Sequence, residues 1–199
     1  MKKWLIPVII IAVIVIGGYS WVKGFNNTAV ELTESATKAW GNVESSYQRR
    51  NDLIGNLVKT VQGAADFERT TLREVIEARA KATSTTIDAS NLTAENMAQF
   101  QEAQSGLTGA LSKLLVSVER YPELKANQNF LELQAQLEGT ENRINVARDR
   151  YNEAVEPYNN HIKTFPNMLL AGILNFDEMT YYKADPGSEN APDIDFDFD

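Results

Sequence analysis

The sequence predicts an all-α protein: an N-terminal transmembrane helix followed by an elongated antiparallel bundle of three long helices plus a short C-terminal helix. Three observations predict it. No charged residue occurs from Trp4 to Val22. Beyond that run, apolar residues recur at steps of three and four over long stretches, which is the period of a helix face and not the alternation of a strand. Pro122, Pro157, Pro166 and a Ser/Thr-rich stretch at residues 83–91 punctuate the pattern.

The run from Trp4 to Val22 rises about 1.5 Å per residue and so spans roughly 28 Å, close to the hydrocarbon thickness of a bilayer. Its β-branched centre, "VIIIAVIVI" at 8–16, is a poor helix in water. In lipid it is held helical by the cost of unpaired backbone groups. Pro7 falls in the first turns, where a missing N–H does least harm. A cleaved signal peptide is the rival reading, but the run ends "GGYSWVKGF", with Tyr19, Trp21 and Phe25 where a cleavage site wants small residues. A retained anchor is therefore expected, with Trp4 at one interface and Tyr19 and Trp21 at the other. Lys2 and Lys3 before the run, against Lys23 alone soon after it, keep residues 1–3 in the cytoplasm and put the rest on the outer, periplasmic or extracellular, side.

Residues 23–30, "KGFNNTAV", read as a short joint, and residues 31–176 as the helical bundle. The first long helix carries Ala36, Trp40, Val43, Tyr47, Ile54, Leu57, Val61, Ala65, Leu72, Val75 and Ile76, so it could run from about residue 28 to 82, with Gly63 a weak point. Thr93 is a plausible N-cap for the second, whose Met97, Phe100, Gln104, Leu107, Leu111, Leu114 and Val118 alternate steps of three and four, the spacing of a bundle seam. Pro122 stops it at Tyr121. The third starts near Asn127 or Asn129 and carries Phe130, Leu133, Leu137, Thr140, Ile144, Ala147, Tyr151, Val155, Tyr158 and Ile162, with a kink or an end expected near Glu153 because of Pro157. "NMLLAGILN" at 167–175 is too short to cross a membrane and is expected to cap the open end of the bundle, an in-plane membrane contact being the minority reading. Residues 177–199 form an acidic C-terminal tail. From Ala184 onward it has no basic residue and is expected to be solvated and unfolded, with strand addition to a partner's sheet edge as the alternative.

Totals narrow the function. The 199 residues give room for one modest domain. The net charge is −8, and the chain beyond residue 23 is acidic, so nucleic acid and anionic lipid surfaces are excluded as main partners. With no cysteine, disulfides, thiolate zinc sites and iron–sulfur clusters are excluded.

The stretch "ERYPELKANQNFLELQAQLEGTENRINVARDRYNEAVEPYNNHIKTFPNMLLAGILNF" at 119–176 resembles the LemA family of bacterial membrane proteins. "AWGNVESSYQRRNDLIGNLVKTVQG" at 39–63, with "EARA" at 77–80, is similar to the first half of the same family pattern. The resemblance covers the chain from the anchor to about Lys183 and leaves out the acidic tail. It implies a single-pass inner or plasma membrane protein bearing an elongated helical bundle, and no established enzymatic activity, cofactor or substrate.

The break "RRND" at 49–52 is the candidate site. Continuing the seam from Ala36, Trp40, Val43 and Tyr47 lands on Arg50, so this charge faces inward or lies at the seam's edge and needs a partner. Glu138, Glu141 and Asn145 on the third helix, with Arg148 one turn on and Asp52 beside Arg50, are the candidates. Two readings stand: a polar layer that fixes bundle register, or a pocket between the first and third helices that grips an anionic or peptide ligand. Arg143 and Arg150 share a further charged face, and Tyr151 and Tyr158 read as core rings with hydroxyls at the bundle edge. His161 is the only histidine and cannot supply a transition-metal site alone; Glu74 with Glu77 has the spacing of a solvated face. No nucleophile elbow or Gly-rich phosphate loop occurs. No cofactor is expected, and the expected partners are the bilayer, through residues 4–22, and envelope proteins or a second copy. The expected function is a non-catalytic, membrane-anchored scaffold, with a ligand-binding or sensory module as the alternative.

Overall fold

The computed structural model describes residues 4–63, 67–87 and 92–183. Every regular element among them is helical: α1 (Leu5–Gln62), α2 (Arg69–Ser84), α3 (Ala94–Val118), the single turn α4 (Pro122–Lys125), α5 (Gln128–Lys163) and α6 (Asn167–Leu174).

Helix α1 runs 58 residues without a break. Its apolar end is long and apolar enough to cross a membrane, and none of that stretch is buried in the protein. The joint expected at residues 23–30 does not exist. Gly24, Asn26 and Asn27 are weak helix formers, but packing overrides propensity where one face of the helix is buried. Here Phe25 and Ala29 are buried, and they extend the seam of Ala36, Trp40, Val43 and Tyr47 down to the span.

The first long helix is also not one rod to residue 82. It stops at Gly63, and α2 returns along α1, with Arg79 Nε donating to the Asn51 carbonyl at 2.8 Å. Gly55 makes the close approach possible, since a Cβ there would lie 3.1 Å from the Arg79 guanidinium. Thr93 caps α3, its hydroxyl accepting from the Asn96 N–H at 3.2 Å, and Asn127 caps α5 in the same way through the Phe130 N–H at 3.2 Å.

Pro157 does not end α5 at Glu153; the helix continues to Lys163. Both residues are on the exposed face, where water can pair the carbonyl left without a donor, while Val155, Tyr158 and Ile162 pack on the other side. The contacts of α5 with α1 step backwards along the chain: Glu141 meets Arg50 at 3.4 Å, the Tyr151 ring meets Trp40 at 5.3 Å, and His161 stacks on Phe25 at 4.9 Å. Beyond α6, Asn175 takes a left-handed conformation (φ 58°) and the Phe176 N–H returns to the Ala171 carbonyl at 3.0 Å, closing the helix.

The core has three parts along α1. A distal cluster gathers Ile54, Leu57 and Val61 with Val75, Leu107, Leu114 and Phe130. A middle cluster gathers Trp40, Val43 and Tyr47 with Phe100, Ile144 and Tyr151. A proximal cluster sets Phe25 against Tyr158, Ile162, Leu170 and Ala171.

Candidate functional site

Arg50 lies between the distal and middle clusters and is 3% exposed. The seam steps from Tyr47 to Arg50 to Ile54, so the same periodicity that buries the apolar residues buries this one. Its Nη2 donates to Gln104 Oε1 and to the Gln104 carbonyl at 3.4 Å; its Nη1 donates to Thr108 Oγ1 at 3.3 Å and Glu141 Oε2 at 3.4 Å. Its guanidinium also stands over the Tyr47 ring, 4.8 Å from the centroid. Nε has no partner among the described residues. The charge is therefore held by neutral oxygens of α3 together with the half-exposed Glu141 carboxylate, at comparable distances apart from the closer Gln104 Oε1.

Of the other residues singled out from the sequence, Glu138 lines a notch with Arg50 and Glu141, while Asp52, Asn145 and Arg148 lie outside it. Asp52 is exposed and accepts from Gln48 at 3.2 Å. Glu138 is exposed and accepts from Gln134 at 3.4 Å, and Asn145 is exposed. Arg148 belongs to a second arrangement, on the other side of Tyr47. Its Nε donates to Tyr47 Oη at 3.0 Å and its Nη2 donates to the same oxygen. The Tyr47 and Tyr182 hydroxyls share a hydrogen bond at 2.8 Å. The Arg148 guanidinium lies 4.4 Å from the Tyr182 ring centroid, so Tyr47 is held by Arg50 over its ring and by Arg148 and Tyr182 at its oxygen.

Tyr182 reaches Tyr47 from residues 177–183, a segment the sequence places in the acidic tail but expects to be unfolded only from Ala184 on. These residues form a strap laid along α5. Asn159 pairs with both backbone groups of Met179 at 2.9 Å; Asn152 pairs with both backbone groups of Tyr182, at 3.0 and 2.8 Å. The Tyr158 and Tyr151 hydroxyls donate to the carbonyls of Asp177 and Thr180, each at 2.8 Å. The signal was a "YN" pair repeated at heptad spacing, 151–152 and 158–159. Seven helical residues, two turns, rise about 10.5 Å, which three extended residues also span, so positions two turns apart on α5 meet Met179 and Tyr182 in step. Residues 184–199 lie outside the described residues.

Burial pushes the Tyr151 hydroxyl well above the ordinary tyrosine range. Burial, and then the nearby Asp177 carboxylate, raise that of Tyr158, opposed by a hydrogen bond with Thr33. The folded protein thus keeps protons that the unfolded chain releases. The resulting stability is complete below the unfolded tyrosine value of about 10 and is lost as pH climbs from there through the folded values. The melting temperature of the detergent-solubilised protein should hold to about pH 10 and fall above it. Tyr151→Phe with Tyr158→Phe should flatten that fall; an unaltered fall would assign it to other groups.

The space beside Arg50 is a notch of about 180 Å³ that brings Arg50, Glu138 and Glu141 together beside Ile54, Leu111, Leu115 and Leu137. Of the residues expected around a polar cavity, Arg50 and Glu141 line it and Asn145 does not. Among the described residues no cluster of His, Asp and Glu could hold a metal ion.

The profile of the LemA family matches residues 39–196. The chain belongs to the LemA family. The match reaches into the acidic segment that the sequence reading leaves outside the resemblance, and includes the strap with its partners on α5. Magnetosome protein MamQ 2 of Paramagnetospirillum magneticum is 26% identical over 180 residues, 82% of this chain and 66% of the relative. MamQ of Magnetospirillum gryphiswaldense is 25% identical with the same coverage. Protein LemA of Metamycoplasma hominis is 22% identical over 142 residues, 71% of this chain and 61% of the relative. This LemA-family chain thus spans slightly less than two thirds of the length of the relatives it matches. Family membership and an unburied apolar helix together support association with a membrane.

Proposed function

We propose that this protein is a non-catalytic, single-pass scaffold of the bacterial envelope, an elongated antiparallel helical bundle that associates with a second copy or with other envelope proteins. The observation that carries this reading is the unbroken α1. One helix leaves the apolar span and continues to Gln62, so about 60 Å of rod stands beyond Val22 with no hinge between anchor and bundle. Side chains on such a rod are offered at fixed heights above the bilayer. The mostly apolar notch at Arg50 and the well-filled seam on both sides of it support a structural role for the polar layer over a ligand pocket. The relatives' names carry no enzymatic activity.

Photoreactive amino acids placed one at a time at exposed Glu77, Ser112 and Arg150 test the reading in living cells. Positions on one face should capture the same few envelope proteins, or a second copy, and positions on the opposite face should not. Captures that do not change with position would remove the scaffold reading. The excess of lysine at residues 2 and 3 supports an outer position for the bundle in this reading. A phosphatase active only outside the cytoplasm, fused after Asp199, should be active, and an inactive fusion would reverse the orientation.

A further inference from the structure

Where α5 ends and the strap begins, the chain turns through a stretch with no charge, "TFPNMLLAGILNF" at 164–176. Its helix α6 buries Leu170 and Ala171 against Phe25 and Ile162, and leaves Phe165 (79% exposed), Met168, Leu169 and Ile173 (73% exposed) uncovered. A helix apolar all round belongs inside something, and half of this one is not. Away from the span and the stretch 164–176, whose Leu174 is also exposed, the exposed large apolar residues among the described ones are Val30, Ile76, Val116, Leu131, Val146 and Tyr181, spread singly over the bundle, which needs no explanation; a contiguous patch does.

Three observations say what covers it. First is height: Trp21 Nε1 donates to Asn167 Oδ1 at 3.3 Å, so α6 begins level with the last residues of the uncharged run of α1. Second is direction, because α5 descends from Arg50 past Trp40 to Phe25, and the strap climbs back from Asp177 to Tyr182, which makes α6 the turning point nearest the span. Third is the charge boundary: Lys163 and Glu178, each half-exposed, pair across the neck of the turn, with Asp177 beside them, and the stretch 164–176 that they bracket is uncharged.

We propose that α6 and Phe165 form a second membrane contact, a foot that lies in the interface of the same bilayer α1 crosses. A short apolar helix in this position beds into the boundary between headgroups and acyl chains, with its polar neck outside. Two points of contact, the span and the foot beside it, fix the tilt and the facing direction of the rod. This rests on reading Leu5–Val22 as a span, and the test separates the two.

The chain has no native cysteine, so Ile173→Cys, Met168→Cys, Val13→Cys and Val116→Cys, all at exposed positions, each carry a single environment-sensitive dye. The full-length protein is placed in nanodiscs of phosphatidylethanolamine and phosphatidylglycerol, with and without spin-labelled phosphatidylcholine, and iodide as the aqueous quencher. Dyes at 173 and 168 should lose emission to spin-labelled lipid, as the dye at 13 does, and resist iodide; the dye at 116 should do the reverse. Lipid quenching at 13 but iodide quenching at 173 and 168 would overturn the foot and leave the span. Protection of 173 and 168 from both quenchers, with dimers crosslinked through unlabelled Ile173→Cys, would also overturn it and assign the face to a second copy. No lipid quenching even at 13 would overturn both readings.

Discussion

Replacing Gln104 by leucine should lower the stability of the folded chain by about 2–4 kcal/mol, because it keeps the volume and removes the oxygen on which a buried cation chiefly rests. Arg50 would be left with one carbonyl, a threonine hydroxyl and a half-exposed carboxylate at 3.4 Å. For a chain of this size that is a fall of roughly 5–15 °C in melting temperature, read by circular dichroism in detergent. Arg50→Met alone should cost less. It abandons no buried carboxylate, since Glu141 reaches solvent and can be hydrated, and what it does strand is the Gln104 amide. Pairing alone would make loss of the arginine the severe change; the observed burial shifts that severity to its acceptor. Arg50→Met combined with Gln104→Leu should recover most of the loss, as apolar replacement of a whole buried polar cluster often does. A double variant no better than Gln104→Leu would show that the two side chains do not act as a unit.

Trp40→Ala should be at least as damaging, about 3–5 kcal/mol, the usual cost of emptying a large core position. Its ring is fully buried and meets Phe100 at 5.6 Å and Tyr151 at 5.3 Å, both edge-on, so the cavity would open where α1, α3 and α5 share the middle cluster. Trp40→Phe should cost far less than its lost area suggests. The indole Nε1 is buried with no partner among the described residues, and phenylalanine removes that unpaired donor together with the ring it belongs to. Equal melting temperatures for the two variants would mean that the N–H is bonded after all.

Much of this architecture was legible in the spacing of apolar residues. Steps of three and four located the seam positions of α1, α3 and α5, and the same count placed Arg50 inward before any partner was known. Thr93 and Asn127 announced helix starts, because a side-chain oxygen there serves the first unpaired N–H groups. The errors have physical causes. Residues 23–30 looked like a joint because Gly24, Asn26 and Asn27 favour turns locally; Ala29 is fully buried, and Phe25 acts through contacts with parts of the chain well over 100 residues away. Pro157 marked a kink or an end because it removes a backbone donor; the helix passes it, since the carbonyl left without that donor is on the exposed face, where water serves it. Gln104 was legible as a seam position but not as the acceptor of Arg50, which needs the relative rotation of two helices. The strap was hidden for a different reason: its bonds run from side chains to backbone, and backbone has no sequence signature. Only the repeated Tyr-Asn pair marked it, and half of that pair, the tyrosines, reads equally well as ordinary core.

An unbroken α1 has a mechanical corollary. Because successive residues turn by about 100° and rise about 1.5 Å, the azimuth of Trp40 is geared to that of Ile10. One residue added or lost near Gly24 would swing the whole outer rod by more than a quarter turn, while seven would nearly restore its heading and lift it by about 10 Å. Heading and altitude are thus two separately adjustable settings of a single shaft, both written into the number of residues between them.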